Sequence, residues 1–199
     1  MCKEDQDRMS RLVLERIYYP VLTLGYGKRL GVWVRGCSRF CPGCISPDLQ
    51  SYTGDAVDVH KLIQSVPDGF QADGMTISGG EPFDQTEGLE ELVCWFAENV
   101  SEDILIYTGY TIEELQARGD KMTDCILKNT AVLVDSPYIA SLNDGRGIRG
   151  SSNQRVFVWK YPERYQGAEV WERQVQFVAE RDSLLQIGVP PGKGYGIRT

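Results

Sequence analysis

Three cysteines, Cys37, Cys41 and Cys44, fall within the run Gly36-Cys37-Ser38-Arg39-Phe40-Cys41-Pro42-Gly43-Cys44. This C-x3-C-x2-C spacing offers one inorganic site three thiolates and no local fourth. Most iron–sulfur runs supply four thiolates, one per iron, so the cluster only passes electrons. Three thiolates around a four-iron cube leave one iron open to a substrate. The same sulfurs could hold zinc, completed by His60 or water, and spacing alone leaves both readings open. About thirty residues on, Met75-Thr76-Ile77-Ser78-Gly79-Gly80-Glu81-Pro82-Phe83 reads as an apolar strand ending in two glycines and a carboxylate. Lacking Cβ atoms, Gly79 and Gly80 let backbone groups approach a ligand closely. Glu81 could accept a charge-assisted hydrogen bond from an ammonium group or orient the loop that follows. An ordinary strand-to-helix turn is the plainer reading of the same residues.

The elements that must position these residues alternate between strand and helix. Apolar runs at Gly31-Val32-Trp33-Val34, Gly74-Met75-Thr76-Ile77, Ile104-Leu105-Ile106-Tyr107, Ala131-Val132-Leu133-Val134 and Val156-Phe157-Val158-Trp159 are continuous. Continuity predicts strands covered on both faces, as in a parallel sheet. Leu89, Leu92, Val93, Phe96 and Val100 recur at helical spacing and predict a helix from Glu87 to Asn99. Thr111-Ile112-Glu113-Glu114 has the form of a capping box, which starts a second helix near Ile112. A further helix is expected from Val57 to Gln64, ahead of the turn Pro67-Asp68-Gly69. Repeated β-α units give an α/β fold, open or barrel-like. Cys37, Gly79-Gly80-Glu81 and Thr108-Gly109 all follow strands, where sites of parallel α/β folds lie. From Tyr161 the pattern changes, and Gln174 to Val178, the turn Glu180-Arg181-Asp182 and Leu184 to Ile187 predict a terminal antiparallel hairpin.

The chain has 199 residues, 42% hydrophobic content and a formal net charge of −7. That length suits one domain, 1–199, with a core at about 18–159 and an extension at about 160–199. The acidic balance argues against nucleic acid as a partner. No run approaches the ~20 apolar residues that span a bilayer, and the first residues lack the apolar core of a signal peptide. A cytoplasmic protein with no membrane partner is expected. Cys2, Cys94 and Cys125 show no disulfide-framework spacing, and the latter two read as small buried residues. His60, in a polar helix, is expected to face solvent.

C-x3-C-x2-C followed by a strand ending in Gly-Gly-Glu resembles the radical S-adenosylmethionine (SAM) enzymes. Tyr107-Thr108-Gly109-Tyr110, Val134-Asp135-Ser136-Pro137-Tyr138 and Arg149-Gly150-Ser151-Ser152-Asn153-Gln154 narrow the resemblance to the activating components of anaerobic (class III) ribonucleotide reductases. It covers roughly Tyr18 to Phe157. It implies a partial (β/α) barrel of the radical SAM type, to which the predicted hairpin is a short extension. It also implies a 4Fe-4S cluster held by Cys37, Cys41 and Cys44, with SAM on the open iron. Gly79 and Gly80 would meet the SAM amino group with Glu81 beside it, Ser78 would join them in binding the cofactor, and Gly43 and Ile45 would meet its adenine, although Pro42-Gly43 equally suits a plain turn. Reductive cleavage of SAM would give a 5′-deoxyadenosyl radical that removes hydrogen from a glycine of a partner glycyl radical enzyme, with flavodoxin or ferredoxin as electron donor. No side-chain acid or base is needed.

Two features depart from that pattern. The turn before the first strand reads Gly25-Tyr26-Gly27 where many activases carry a Gly-Pro-Gly-like turn, and the shortest members lack the tail. A stand-alone radical SAM enzyme acting on a peptide or small molecule is the enzymatic alternative. A non-catalytic iron–sulfur or zinc module is the alternative of another class. Asp144 to Arg155, polar and glycine-rich, suits either a flexible surface loop or a segment shaping the site's mouth. Tyr107 and Tyr110 read as strand-end packing residues that could also line a SAM pocket.

Overall fold

The computed structural model describes residues 10–181 and 183–190. Cys2 and Asp182 lie outside them. In chain order the elements are β1 (Arg11–Val21), β2 (Arg29–Val34), β3 (Ala56–Asp58), α1 (Val59–Gln64), β4 (Gly74–Gly79), α2 (Thr86–Asn99), β5 (Ile104–Tyr107), α3 (Ile112–Ala117), α4 (Lys121–Asn129), β6 (Val132–Asp135), β7 (Arg155–Val158), β8 (Gln176–Ala179) and β9 (Leu184–Ile187). Seven strands form one mixed sheet in the order β3-β1-β2-β4-β5-β6-β7, and β8 and β9 form a separate hairpin. The fold is mixed α/β. No helix among the described residues is long and apolar enough to cross a membrane.

The four strands β2, β4, β5 and β6 are parallel neighbours, as expected from their continuous apolar runs. Side chains of a strand alternate between faces, and both faces here are covered. Ile104 and Ile106 of β5 pack with Leu89, Leu92, Val93 and Phe96 of α2, whereas Leu105 joins Val132, Val134, Tyr165 and Ala168 on the opposite face. The Thr111–Glu114 capping box forms and starts α3. At α1 the Asp58 side chain accepts from the Lys61 N–H, so the helix begins at Val59, directly after the short strand β3, and not at Val57.

Three elements differ from expectation. β1 pairs antiparallel with both β2 and β3, although Ile17 and Tyr19 are exposed and mask its alternation. α4 is capped by Asp120, whose carboxylate accepts from the Thr123 N–H and hydroxyl. β7 has the apolar look of a parallel strand yet pairs antiparallel with β6. Residues 136–154 join β6 to β7 with only a 3-10 turn, and a parallel return needs a long crossover, usually a helix.

At the amino ends of β2, β4 and β5, Arg29 is fully buried. Its guanidinium donates to Thr76 Oγ1 (2.6 Å), Asp103 Oδ1 (3.0 Å), Tyr165 Oη (2.9 Å) and the carbonyls of Tyr26, Met75 and Asp103. Asp103 also accepts from Tyr165 and Arg164. This network ties the segment after β7 to the base of the sheet. The β8–β9 hairpin docks through Ile187 onto Val21 and Leu24 and through Gln176, which bonds the backbone of Pro20 and Leu22.

Candidate functional site

A cavity of about 730 Å³ opens at the carboxyl ends of the parallel strands. The structure brings Cys37, Cys41, Cys44, Gly43, Ile45, Ser78, Gly79, Gly80 and Glu81 to its wall together. Thr108, Gly109 and Ser136 come from the ends of β5 and β6, and residues 186–190 approach from the tail.

The cysteine loop leaves β2 held by backbone bonds, Gly36 N–H to Leu49 carbonyl (2.8 Å) and Cys37 N–H to Gln50 carbonyl (3.0 Å). Gly43 supplies the positive φ of 71° that turns the chain back toward Cys44, whose N–H bonds the Cys41 carbonyl. Burial pushes the Cys37 and Cys44 thiols up, and the carboxylates of Glu81 and Asp84 add to the effect at Cys37. A bound cation reverses that cost, because metal ligation itself holds a thiol deprotonated.

The donor set fits a cluster better than a single zinc. Zn–S bonds of about 2.3 Å place tetrahedral sulfurs about 3.8 Å apart. Among the described residues, the His, Cys, Asp and Glu ligand atoms that all lie within 4.8 Å of one another are those of Glu90, Cys94 and Cys125. The sulfurs of Cys37, Cys41 and Cys44 do not all lie within that distance of one another. His60 has a side chain 70% exposed beside Glu91 and takes no part in the cavity wall.

Gly79 and Gly80 serve a close approach of backbone to backbone. A Cβ on Gly79, whose φ is +107°, would sit 2.3 Å from the Val34 carbonyl oxygen, and one on Gly80 would sit 2.1 Å from that of Gly36. The Gly80 N–H donates to Val34 (2.7 Å) and the Glu81 N–H to Gly36 (2.8 Å), so the end of β4 is laced to the segment entering the cysteine loop. Glu81, buried, accepts from the Phe83 N–H (3.0 Å), the Thr108 hydroxyl (2.8 Å) and the Gly109 N–H (2.7 Å). Of its two expected roles, loop orientation is the one these bonds perform. Burial outweighs the three donors and pushes its carboxyl up to about 7.

Sequence reasoning missed Asp84. Its carboxylate accepts from the Ser38 N–H (2.7 Å) and hydroxyl (3.0 Å), from Tyr52 (2.7 Å) and from Tyr110 (2.8 Å). The Tyr110 ring lies 4.6 Å from the Arg39 guanidinium and 4.3 Å from that of Arg118. Ser38 and Arg39 sit between Cys37 and Cys41, so these contacts clamp the cluster loop from outside. The only sequence signal was the place of Asp84, three residues beyond Glu81.

The glycine-rich 144–155 segment is folded against β6 and shapes the mouth. Gln154 accepts from Gly150 and Ser151 N–H groups and donates to the Ser136 carbonyl (2.9 Å). Gly150 and Gln154 line the cavity. Tyr107 lines it as well, and its hydroxyl donates to the Ile148 carbonyl (2.7 Å).

A loop of three cysteines opening on a large cavity at strand ends defines an iron–sulfur protein with room for a second ligand. A family model described as "4Fe-4S single cluster domain" matches residues 23–157, which include the cysteine loop and the Gly-Gly-Glu strand end. The chain is 34% identical over 152 residues to the anaerobic ribonucleoside-triphosphate reductase-activating protein of Salmonella typhimurium, covering 70% of this chain and 94% of the relative. The protein of that name from Escherichia coli K12 is 34% identical over 151 residues, with the same coverage. That of enterobacteria phage T4 is 30% identical over 161 residues, covering 74% of this chain and 97% of its own. The chain belongs to the family of anaerobic ribonucleoside-triphosphate reductase-activating proteins, within the 4Fe-4S single cluster domains.

Proposed function

We propose that this chain is a radical SAM activase that generates a glycyl radical on a partner enzyme, an anaerobic ribonucleotide reductase. The observation that carries the reading is the meeting of three cysteines and the Gly-Gly-Glu strand end on one cavity wall. Cys37, Cys41 and Cys44 hold three irons of the cluster. Ser78, Gly79 and Gly80 present backbone groups to the SAM amino group with Glu81 fixed behind them, and Gly43 and Ile45 flank the adenine. When bound, the cluster and SAM would supply the one-electron chemistry by which a hydrogen atom is removed from a glycine of the partner.

The residues of the chain bind and orient; none acts as acid or base. Gln154, bonded to the Ser136 carbonyl, and residues 186–190 line the cavity with the cluster loop, and such walls would help to keep water from the reacting atoms. The parallel strands β2, β4, β5 and β6 are part of a partial (β/α) barrel, and the chain acts as one domain in the cytoplasm, with flavodoxin or ferredoxin as electron donor.

The test is anaerobic loading with iron and sulfide, reduction with dithionite, and chromatography for 5′-deoxyadenosine after SAM is added. The product is expected from the native chain and absent from Cys41→Ala. Mixing with the reductase should then give the electron paramagnetic resonance doublet of a glycyl radical. A fully formed cluster that yields no 5′-deoxyadenosine, with or without the reductase, overturns the proposal.

A further inference from the structure

Two cysteines outside the cavity stand in an arrangement that the function above does not use. Cys94 lies on α2 and Cys125 on α4, and their sulfurs are 3.0 Å apart. That is inside the ~3.5–4.0 Å at which nonbonded carbon atoms rest and about 1 Å longer than a disulfide bond. Both are free thiols on half-buried residues. One turn beyond Cys125, the Asn129 amide donates to the Cys125 carbonyl (3.0 Å) and toward both sulfurs (3.6 and 3.7 Å). One turn before Cys94, the Glu90 carboxylate lies within 4.8 Å of both sulfurs.

We propose that Cys94 and Cys125 form a reversible dithiol–disulfide site, separate from the cluster cysteines, whose oxidant is a low-molecular-weight disulfide. One protein thiolate attacks a sulfur of the oxidant R–S–S–R, forming a mixed disulfide and releasing RS⁻. The second protein thiol gives its proton to solvent and displaces the remaining RS⁻, closing the Cys94–Cys125 bond. Two protein thiols lose two electrons, and one small disulfide becomes two RSH.

The second step is favoured by the contact already present, since the displacing sulfur needs only a short approach to reach its target. The first step is slow. Burial, the neighbouring Cys125 and the carboxylates of Glu90 and Glu98 push the Cys94 thiol up to about 12, so it rests neutral and resists casual alkylation. The same trio could hold a divalent cation, but zinc wants its sulfurs about 3.8 Å apart, and the pair would have to open where a disulfide needs it to close.

The iron-loaded protein is incubated anaerobically with oxidised glutathione, quenched by alkylation and mapped by mass spectrometry without reductant. The expected result is a Cys94–Cys125 cross-linked peptide, two hydrogens lighter than its reduced parts, with the iron content unchanged. Glutathione on Cys94 should be at least ~10-fold lower in the native chain than in Cys125→Ser, because the neighbouring thiol displaces it. Cys94→Ser gives the same reading at Cys125, so failure of one variant to fold leaves the test intact. Stable adducts on both cysteines of the native chain overturn the proposal. So do free thiols under conditions that modify either variant, or one equivalent of zinc that survives desalting and is lost in Cys94→Ser.

Discussion

Gly80→Ala separates two reasons for a glycine at the end of β4. A ligand-contact role predicts that the iron-free protein tolerates the added methyl and that only SAM binding suffers. The geometry predicts otherwise, because the new Cβ would lie 2.1 Å from the Gly36 carbonyl oxygen and 2.7 Å from its carbon. Against a 3.0 Å floor for such contacts, the shortfall is about 0.9 Å. The obstacle is backbone, with no flexible side chain to swing aside. Gly80 does not have a positive φ, so the alanine brings a steric penalty without a conformational one. Overpacking of this kind costs about 1–3 kcal/mol. Moving Gly36 by that amount also stretches the 2.8 Å bond from Glu81 N–H, worth about 1 kcal/mol. The expected loss is therefore about 2–4 kcal/mol in the iron-free protein, read as a lower urea midpoint by tryptophan fluorescence under anaerobic, reducing conditions. Iron uptake should fall with it, since Gly36 leads into Cys37. An iron-free midpoint within about 0.5 kcal/mol of the native one, with SAM affinity reduced, would refute the reasoning.

Asp84→Asn replaces one accepting oxygen by a donor, which faces either the Ser38 N–H and Tyr52 hydroxyl or the Ser38 and Tyr110 hydroxyls. It should cost about 1–3 kcal/mol and speed loss of iron to a chelator, and an unchanged chelation rate would show that the clamp does not hold the cluster loop. Arg29→Met strips the buried Asp103 of its main cation and removes one donor from the carbonyls of Met75 and Asp103, the latter still accepting from the Met75 N–H. A loss of about 3–5 kcal/mol is expected in urea unfolding, and less than about 1 kcal/mol would show that Arg164 and Tyr165 suffice. Glu81 sets a pH dependence. Its carboxyl is raised from 4.5 to about 7 in the folded chain, so the folded state binds the proton more tightly and stability falls as pH rises between those values. The fall over that window amounts to about 3 kcal/mol in the iron-free protein. Glu81→Gln should flatten it, and a native chain equally stable at both ends of that window would contradict the shift.

The parallel strands were legible because burial on both faces leaves a continuous apolar run, as at Ile104 to Ile106. Strand direction was not, because an apolar run is the same read either way. Val156 to Val158 looked like another parallel strand, and only the lack of a crossover helix between β6 and β7 marks it as antiparallel. β1 stayed hidden for a different reason. Glu15 to Pro20 alternate between exposed and half-buried positions, but apolar Ile17 and Tyr19 take outward places, Tyr19 packing edge-on to Phe70. Cys94 and Cys125 carried no spacing signal because the packing of α2 against α4, and not the intervening sequence, brings them together.

At the site, legibility followed sequence distance. The cysteine run and Gly-Gly-Glu are local motifs, and their chemistry can be read from one stretch each. The Asp84 clamp draws Ser38, Tyr52 and Tyr110 from three other segments, 26 to 46 residues away from it, and no local pattern announces it. The same strands also divide two tasks between their ends. At the amino ends Arg29 is saturated by carbonyls, a carboxylate and hydroxyls, which suits a base that stays fixed. At the carboxyl ends, thiols, glycine backbone and a buried carboxylate face open space, and that end has bonding capacity left for a cluster and its ligand. The tail beyond the family match reaches both ends: Tyr165 bonds Arg29 and Asp103 below, while residues 186–190 wall the cavity above. A segment that braces the base and narrows the mouth couples the shape of the cavity to the stability of the sheet.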